Sequence, residues 1–221
     1  MTVGALVVIA KAPALGRSKT RLCPPCTPQQ AADLAEAALR DTLAAVAATP
    51  CSRRMVALEG PIGDWLPVGF EVVPQRGGGL GRRLASAFED VGEPAVIVAM
   101  DTPQVSPAML THALGALSDP GTDAVLGPTP DGGYWTIGLH GPDPDVFTGV
   151  PMSSRDTHAA QMERLQLLGL STAHLPSLID VDSIDDARAV ARQAPATLFA
   201  AALETSGLAR DDGQPVTETA A

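Results

Sequence analysis

Short apolar runs alternate with helix-patterned stretches along almost the whole chain, and this alternation narrows the fold more than any other feature. The runs Ala5–Ala10, Met55–Leu58, Glu71–Pro74, Ala95–Met100, Ala124–Leu126 and Tyr134–Leu139 read as strands, and Ser171–Leu175 as a later extended piece. Between them lie helices with their own start signals. Thr27-Pro28-Gln29-Gln30 offers an N-cap, a first-turn proline and a capping-box glutamine. From there Leu34, Ala35, Ala38, Leu39, Leu43 and Val46 make one apolar face. Further helices are expected over 80–91, from Ser106-Pro107 to about Leu117, from Ser153 or Ser154 to a stop at Gly169, after Ser183, and over 196–204. Strand and helix in strict turn imply an α/β fold with a parallel or mostly parallel sheet.

A chain of 221 residues, 45% hydrophobic, suits one such domain over 1–204, with a polar, aperiodic, disordered tail over 205–221. Aromatic residues reach only 3% and the formal charge is −10, which excludes a stacking platform or basic footprint for nucleic acid. The apolar start lacks a basic n-region and is too short to span a bilayer, so it reads as a buried strand; no transmembrane segment is expected. Three cysteines, an odd number, suit a reducing, cytoplasmic setting, and Cys23-Pro-Pro-Cys26 reads as incidental loop thiols rather than a zinc site.

Charge is unevenly spread. Lys11, Arg17, Lys19 and Arg21 all precede the first acid, Asp33, and Arg76, Arg82 and Arg83 surround a glycine run. An acidic protein with two local basic loops is suited to holding a small anion. In open α/β sheets ligands bind beyond the carboxyl ends of the strands, and four distinctive segments stand there.

The first, Ala10 to Leu22, supplies Lys11, Gly16, Lys19, Thr20 and Arg21 for phosphates, although it lacks Walker A spacing. The second, Gln75 to Leu84, supplies Gln75, Gly78, Gly81 and Arg83, its glycines allowing close approach of a base or ribose. The third ends a strand with Asp101, a candidate ligand for a hard cation together with Asp182 of the Asp180–Asp186 cluster, Asp185 and Asp186 serving the first turn of a helix instead. The fourth, Gly127 to Trp135, offers Asp131 as general base and Gly132, Gly133, Tyr134 and Trp135 as an acceptor surface. Asp131 and Lys19 are the expected catalytic pair. Each segment also has a plainer reading: a solvated basic turn, a flexible glycine turn, a capped turn at Asp101 and an Asp-Gly hairpin turn. Of the four histidines only His158 falls near these segments.

Taken together, A-K-x-P-x-x-G-x-x-K-T-R-L, L-G-x-R-L, M-D-T-P, G-P-x-x-D-G-G-Y-W and D-V-D-S-x-D-D resemble a family of GT-A-like transferases of uncertain function, often labelled selenodomain-associated transferases. The resemblance runs from about residue 4 to 192. The family is similar to the molybdenum-cofactor and phospholactate nucleotidyltransferases. The resemblance implies a GT-A, Rossmann-related three-layer sandwich and a nucleotide-diphospho-sugar or nucleoside-triphosphate site. It also implies Mg²⁺ or Mn²⁺ on Asp101 and Asp182, and phosphates on Lys11, Lys19 and Arg21. Three functions follow. The first is glycosyl transfer from a nucleotide sugar to a small-molecule acceptor. The second is nucleotidyl transfer from an NTP to a phosphorylated small molecule, with pyrophosphate release. The third is a non-catalytic nucleotide-binding module. Whether a homodimer forms is left open.

Overall fold

The computed structural model describes residues 4–210. Seven strands form one sheet: β1 (Ala5–Lys11), β2 (Arg54–Glu59), β3 (Glu71–Pro74), β4 (Ala95–Ala99), β5 (Ala124–Pro128), β6 (Tyr134–Leu139) and β7 (Thr172–His174). Their spatial order is β3-β2-β1-β4-β6-β5-β7. All neighbouring pairs are parallel except β4–β6 and β5–β6. Because β6 alone runs backwards, its first residue, Tyr134, stands at the same sheet edge as the carboxyl ends of the other strands. The Gly127–Asp131 turn therefore joins the ends of β1, β3 and β4.

Among the described residues there are six α-helices, α1 (Pro28–Ala48), α2 (Leu80–Val91), α3 (Pro107–Ser118), α4 (Thr157–Leu167), α5 (Ile184–Gln193) and α6 (Leu198–Thr205), of which the first four pack on the sheet. The capping signals operate as read. Thr27 caps α1 in a reciprocal box with Gln30, and Ser183 caps α5 in the same way with Asp186. Successive β1 residues point to opposite faces. Leu6, Val8 and Ala10 pack under α1 and α3, whereas Ala5 and Val7 pack with Leu84, Phe88 and Val91 of α2. Both faces of the sheet are thus buried, which explains why its strands read as continuous apolar runs rather than alternating ones. A third cluster, with Leu34, Ala38, Val190, Phe199 and Leu203, joins α1 to α5 and α6.

The fourth helix begins later than its serines suggest. Ser153 has a left-handed backbone (φ 57°), so residues 151–156 form a turn and the helix opens at Thr157. Of the tail expected over 205–221, Thr205 closes α6, and Arg188 donates to the carbonyls of Leu208 at 3.0 Å and Arg210 at 2.8 Å. Residues 211–221 lie outside the described residues. No helix among the described residues is long and apolar enough to cross a membrane.

Candidate active site

The carboxyl edge of the sheet opens into two cavities of about 600 and 590 Å³ that share Lys11, Arg21, Met100, Asp101 and Asp182 as their common wall. The wall is assembled from distant parts of the chain. At the end of β1, the Lys11 N–H donates to the Met100 sulfur at 3.2 Å, tying the first strand to the fourth. The segment after β7 is drawn across the strand ends by the Leu178 N–H to the Pro128 carbonyl (3.2 Å) and the Val181 N–H to the Asp101 carbonyl (3.1 Å). Asp180 and Asp182 are thereby set beside Asp101.

Lys19 is the centre of the charge network. It sits in a left-handed conformation (φ 46°) ahead of a short 3₁₀ turn, Thr20–Leu22, and its side chain is only 13% exposed. Its ammonium donates to Asp101 at 2.9 Å and to the Val181 carbonyl, and lies 3.7 Å from Asp182. Burial would lower the Lys19 pKa, but Asp101, Asp182 and Asp180 outweigh it and hold the ammonium above the usual lysine value. Arg21, largely exposed, reaches the other oxygen of Asp182 at 2.5 Å.

Asp131, Asp180 and Asp182 each offer a carboxylate oxygen, all within 4.8 Å of one another. Burial pushes the Asp180 carboxyl up to about 7, with Asp101, Asp131 and Asp182 adding to the effect. Asp131 Oδ1 accepts from the Thr129 hydroxyl at 2.5 Å and from the Gly133 N–H at 2.9 Å, which leaves Oδ2 for other partners. The turn that carries Asp131 requires its glycine. Gly132 has φ 95°, and a Cβ there would lie 2.0 Å from the Arg155 carbonyl oxygen.

The basic residues are less free than their sequence neighbourhood suggests. Glu59, at the end of β2, lies 3.5 Å from the Lys11 ammonium and accepts a hydrogen bond from Arg83. Partial burial works against ionisation of Glu59, but Arg83 and Lys11 prevail and keep its carboxyl below the ordinary value. Gln75 donates to the carbonyls of Ala10 (2.7 Å) and Ala57 (3.0 Å), so it braces the strand ends as well as lining the larger cavity. Arg76 pairs with Asp90 at 2.8 Å.

The structure brings Lys11, Arg21, Gln75, Arg83, Asp101, Asp131, Gly133, Tyr134, Trp135 and Asp182 to the larger cavity, and Gly16, Lys19 and Thr20 to the smaller. It does not bring Gly78, Gly81 or Gly132 to either, Gly132 being packed against the Arg155 backbone instead. Gly78 faces open space, and Gly81 is buried on α2 against Met152. Two further expectations change. Trp135 is 2% exposed with its indole N–H donating to the Pro176 carbonyl at 2.9 Å, so it supports the wall from within the core rather than offering a free stacking face. Asp101 stands outside the three-carboxylate group, with its side chain held by Lys19.

Asp180 and the turn Met152–Arg155 also line the larger cavity, and neither figures among the site residues expected from sequence. The signal for Asp180 was present, since Asp180-Val-Asp182 is itself a D-x-D pair. His158 donates its backbone N–H to the Gly132 carbonyl at 2.8 Å, while its ring lies 6.5 Å from that of His174, away from the cavity lining. Cys23 and Cys26 are free thiols; Cys26 is buried, and neither belongs to a metal-binding group among the described residues.

Residues 33–154 match the family model described as "uncharacterized protein conserved in bacteria (DUF2064)". The chain belongs to that family. No protein of curated function matches the sequence. Among solved structures, a protein from Desulfovibrio desulfuricans G20, provisionally described as a nucleotide-diphospho-sugar transferase, is 27% identical, with 95% of this chain and 98% of that one covered and a TM-score of 0.84. Glucosyl-3-phosphoglycerate synthase from Mycobacterium tuberculosis, solved with Mn²⁺, UDP and glucosyl-3-phosphoglycerate, is 15% identical, covering 96% of this chain and 82% of that one at a TM-score of 0.53. The 2-C-methyl-D-erythritol 4-phosphate cytidylyltransferase from Thermus thermophilus is 16% identical, covering 94% and 100% at a TM-score of 0.53. The last two share the fold alone. The fold is thus one that this chain shares with both glycosyl- and nucleotidyltransferases.

Proposed function

We propose that the cleft is the active site of a metal-dependent transferase that takes a nucleotide-diphospho-sugar and passes the glycosyl group to a small-molecule acceptor. The observation that carries this reading is the convergence of Asp131, Asp180 and Asp182 within 4.8 Å at the junction of two cavities, flanked by Lys19 and Arg21. Three carboxylates so close together concentrate negative charge that Lys19 and Arg21 offset only in part, and their hard oxygen donors suit Mg²⁺ or Mn²⁺. We assign Asp182 and Asp180 as the residues that would hold such an ion, with Asp131 beside them on the acceptor side and Asp101 fixing Lys19. When bound, a divalent cation supplies positive charge where the nucleoside diphosphate departs.

The chain's own residues do the rest. Lys19 and Arg21, already gathered at the carboxylates, neutralise the diphosphate oxygens, while Lys11 and Arg83 are steadied by Glu59 at the donor side. The acceptor hydroxyl oxygen bonds to the anomeric carbon as the bond to the diphosphate breaks, and Asp131 Oδ2, left unoccupied by the turn's internal hydrogen bonds, takes the hydroxyl proton.

One observation favours nucleotidyl transfer as a second reading. If Asp131 is occupied as a ligand it is not available as a base, and an acceptor phosphate attacking an NTP α-phosphorus needs none. Calorimetry with UDP-, GDP- and TDP-sugars and with NTPs tests both. Binding that appears with Mn²⁺ and vanishes with EDTA, and that loses its Mn²⁺ dependence in Asp182→Ala, is expected; equal affinity in EDTA and Mn²⁺ sinks the metal assignment. Sugar-nucleotide turnover supports the first reading. Pyrophosphate release dependent on a phosphorylated acceptor, without sugar-nucleotide turnover, replaces it with the second.

A further inference from the structure

Four cationic residues line the larger cavity: Lys11, Arg21, Arg83 and Arg155. The first three are held by carboxylates, Lys11 and Arg83 by Glu59 and Arg21 by Asp182. Arg155 differs. Among the described residues no carboxylate lies within 4.0 Å of its guanidinium, and no hydrogen bond satisfies it.

Its side chain is exposed, but the backbone that carries it is fixed. The Arg155 carbonyl is pressed against Gly132, next to Asp131, at a distance that admits no side chain there. Thr157, itself buried, donates to the Pro151 and Ser154 carbonyls (2.7 Å each) and accepts from the Ser154 N–H at 3.0 Å, which braces the turn from inside. Ser153 is held left-handed, and Ser153 and Ser154 both line the cavity next to Arg155. The Ser154 hydroxyl oxygen accepts from the Asp156 N–H at 3.2 Å, so its proton remains available to a ligand.

We infer that Arg155, with the hydroxyls of Ser153 and Ser154, selects an anionic acceptor, a small molecule that carries a phosphate or carboxylate away from the group that reacts. The inference rests on the cleft being the transferase site and adds the class of acceptor. An acceptor approaching Asp131, Asp180 and Asp182 meets a negative wall. Within the larger cavity a negatively charged tail is accommodated where an uncompensated cation waits, and that place is the turn packed directly against the Asp131 loop. A guanidinium is also the side chain whose planar fork matches a carboxylate or phosphate with two parallel hydrogen bonds. With the tail held there, the remainder of the molecule lies across the turn that carries Asp131. Arg155 is thus a specificity residue, outside the group that handles the nucleotide.

The test uses the full chain saturated with UDP and Mn²⁺, so that Lys19 and Arg21 are occupied, and measures binding of glycerol 3-phosphate, glycerate and glycerol by calorimetry and ligand-observed NMR. At least one of the two anions is expected to bind and glycerol not to, the stronger of the two identifying the tail as phosphate or carboxylate. Arg155→Gln should weaken anion binding roughly ten- to hundredfold, as for a lost hydrogen bond between charged groups. Arg155→Lys should recover part of the loss, because it restores charge without the fork. UDP affinity should stay unchanged in both variants. Anions that bind Arg155→Gln as tightly as the parent, glycerol binding as well as the anions, or no binding by any of the three would overturn the inference. Failure of UDP to bind with Mn²⁺ would instead count against the transferase reading; the same titrations without nucleotide then decide the anion site alone, Arg155-dependent binding supporting it and Arg155-independent binding overturning it.

Discussion

Two groups of charge meet at the same sheet edge and are organised in opposite ways. At the end of β2, Glu59 is matched by Lys11 and Arg83, and its carboxyl is held below the ordinary value. Across the strand ends, Asp180 has carboxylates for neighbours and is pushed up to about 7. The first group closes its own charge balance within the protein, as structural ion pairs do. The second leaves its balance open, and perturbed acids of this kind concentrate at functional sites. Lys19 stands in the second group and compensates it only in part, because one ammonium faces Asp101 and Asp182 together. On the proposed reading, the contrast separates residues that build the cleft from residues that act in it.

The largest expected effect falls on Asp131. If it accepts a proton from the acceptor, Asp131→Asn should cut turnover about 10²–10⁴-fold while nucleotide affinity persists. If it serves chiefly as a ligand, the same change should weaken Mn²⁺-dependent nucleotide binding instead. Steady-state turnover and calorimetry on one variant therefore place Asp131 within the open group in one of two roles. Unchanged behaviour in both measurements would move it to the structural side of the comparison.

Lys19→Ala and Arg21→Ala come next, each expected to weaken nucleotide binding by about 1.5–3 kcal/mol through a lost hydrogen bond to a charged phosphate. The two should differ in stability. Lys19 is nearly enclosed between Asp101 and Asp182, so its removal leaves those carboxylates facing each other and lowers the melting temperature of the metal-free protein. Arg21 is 75% exposed, and its loss should leave melting unchanged. Equal nucleotide affinity in both variants and the parent would return the opening loop to a solvated turn.

How much of this is legible in the sequence follows the same division between local and distant causes. The boundaries of β3, β6 and α2 match the sequence reading at both ends, because short apolar runs, a glycine N-cap and a glycine stop are all local. The capping boxes at Thr27 and Ser183 are equally local. The reversed direction of β6 is not, since an apolar run buried on both faces reads the same in either direction. Nor is the pairing of the basic loops. Lys19 and Asp101 are 82 residues apart, and Arg21 and Asp182 are 161 apart, so a count of nearby acids misses partners that the topology delivers. The start of α4 is misread for a related reason. Ser153 and Ser154 carry the chemistry of a cap, but the Gly132 turn and Thr157 recruit them into the cavity wall. Asp180 is visible as half of a D-x-D pair, whereas its burial beside three other carboxylates depends on the 175–182 segment crossing the strand ends.

The smallest effect belongs to Glu59, and it tests the closed side of the comparison most directly. Its side chain is 35% exposed and its partners are partly solvated, so the stabilisation lies in the range for accessible pairs, about 0.2–1 kcal/mol. In a protein of this size that corresponds to a melting shift of no more than roughly 2–4 °C for Glu59→Gln. The pH dependence has a definite sign. Because the folded-state pKa lies below the ordinary 4.5, the contribution is present in full above that value and disappears as pH falls through the lower folded-state pKa. Parent and variant melting curves should therefore separate at pH 7 and converge in acid, by differential scanning calorimetry. Nucleotide affinity should change little, because Lys11 and Arg83 keep their charge and lose only a brace. If Glu59→Gln instead abolished nucleotide binding with melting unaltered, Glu59 would belong with Asp131, Asp180 and Asp182 among the acting carboxylates, and the distinction between balanced and open charge at this sheet edge would fail.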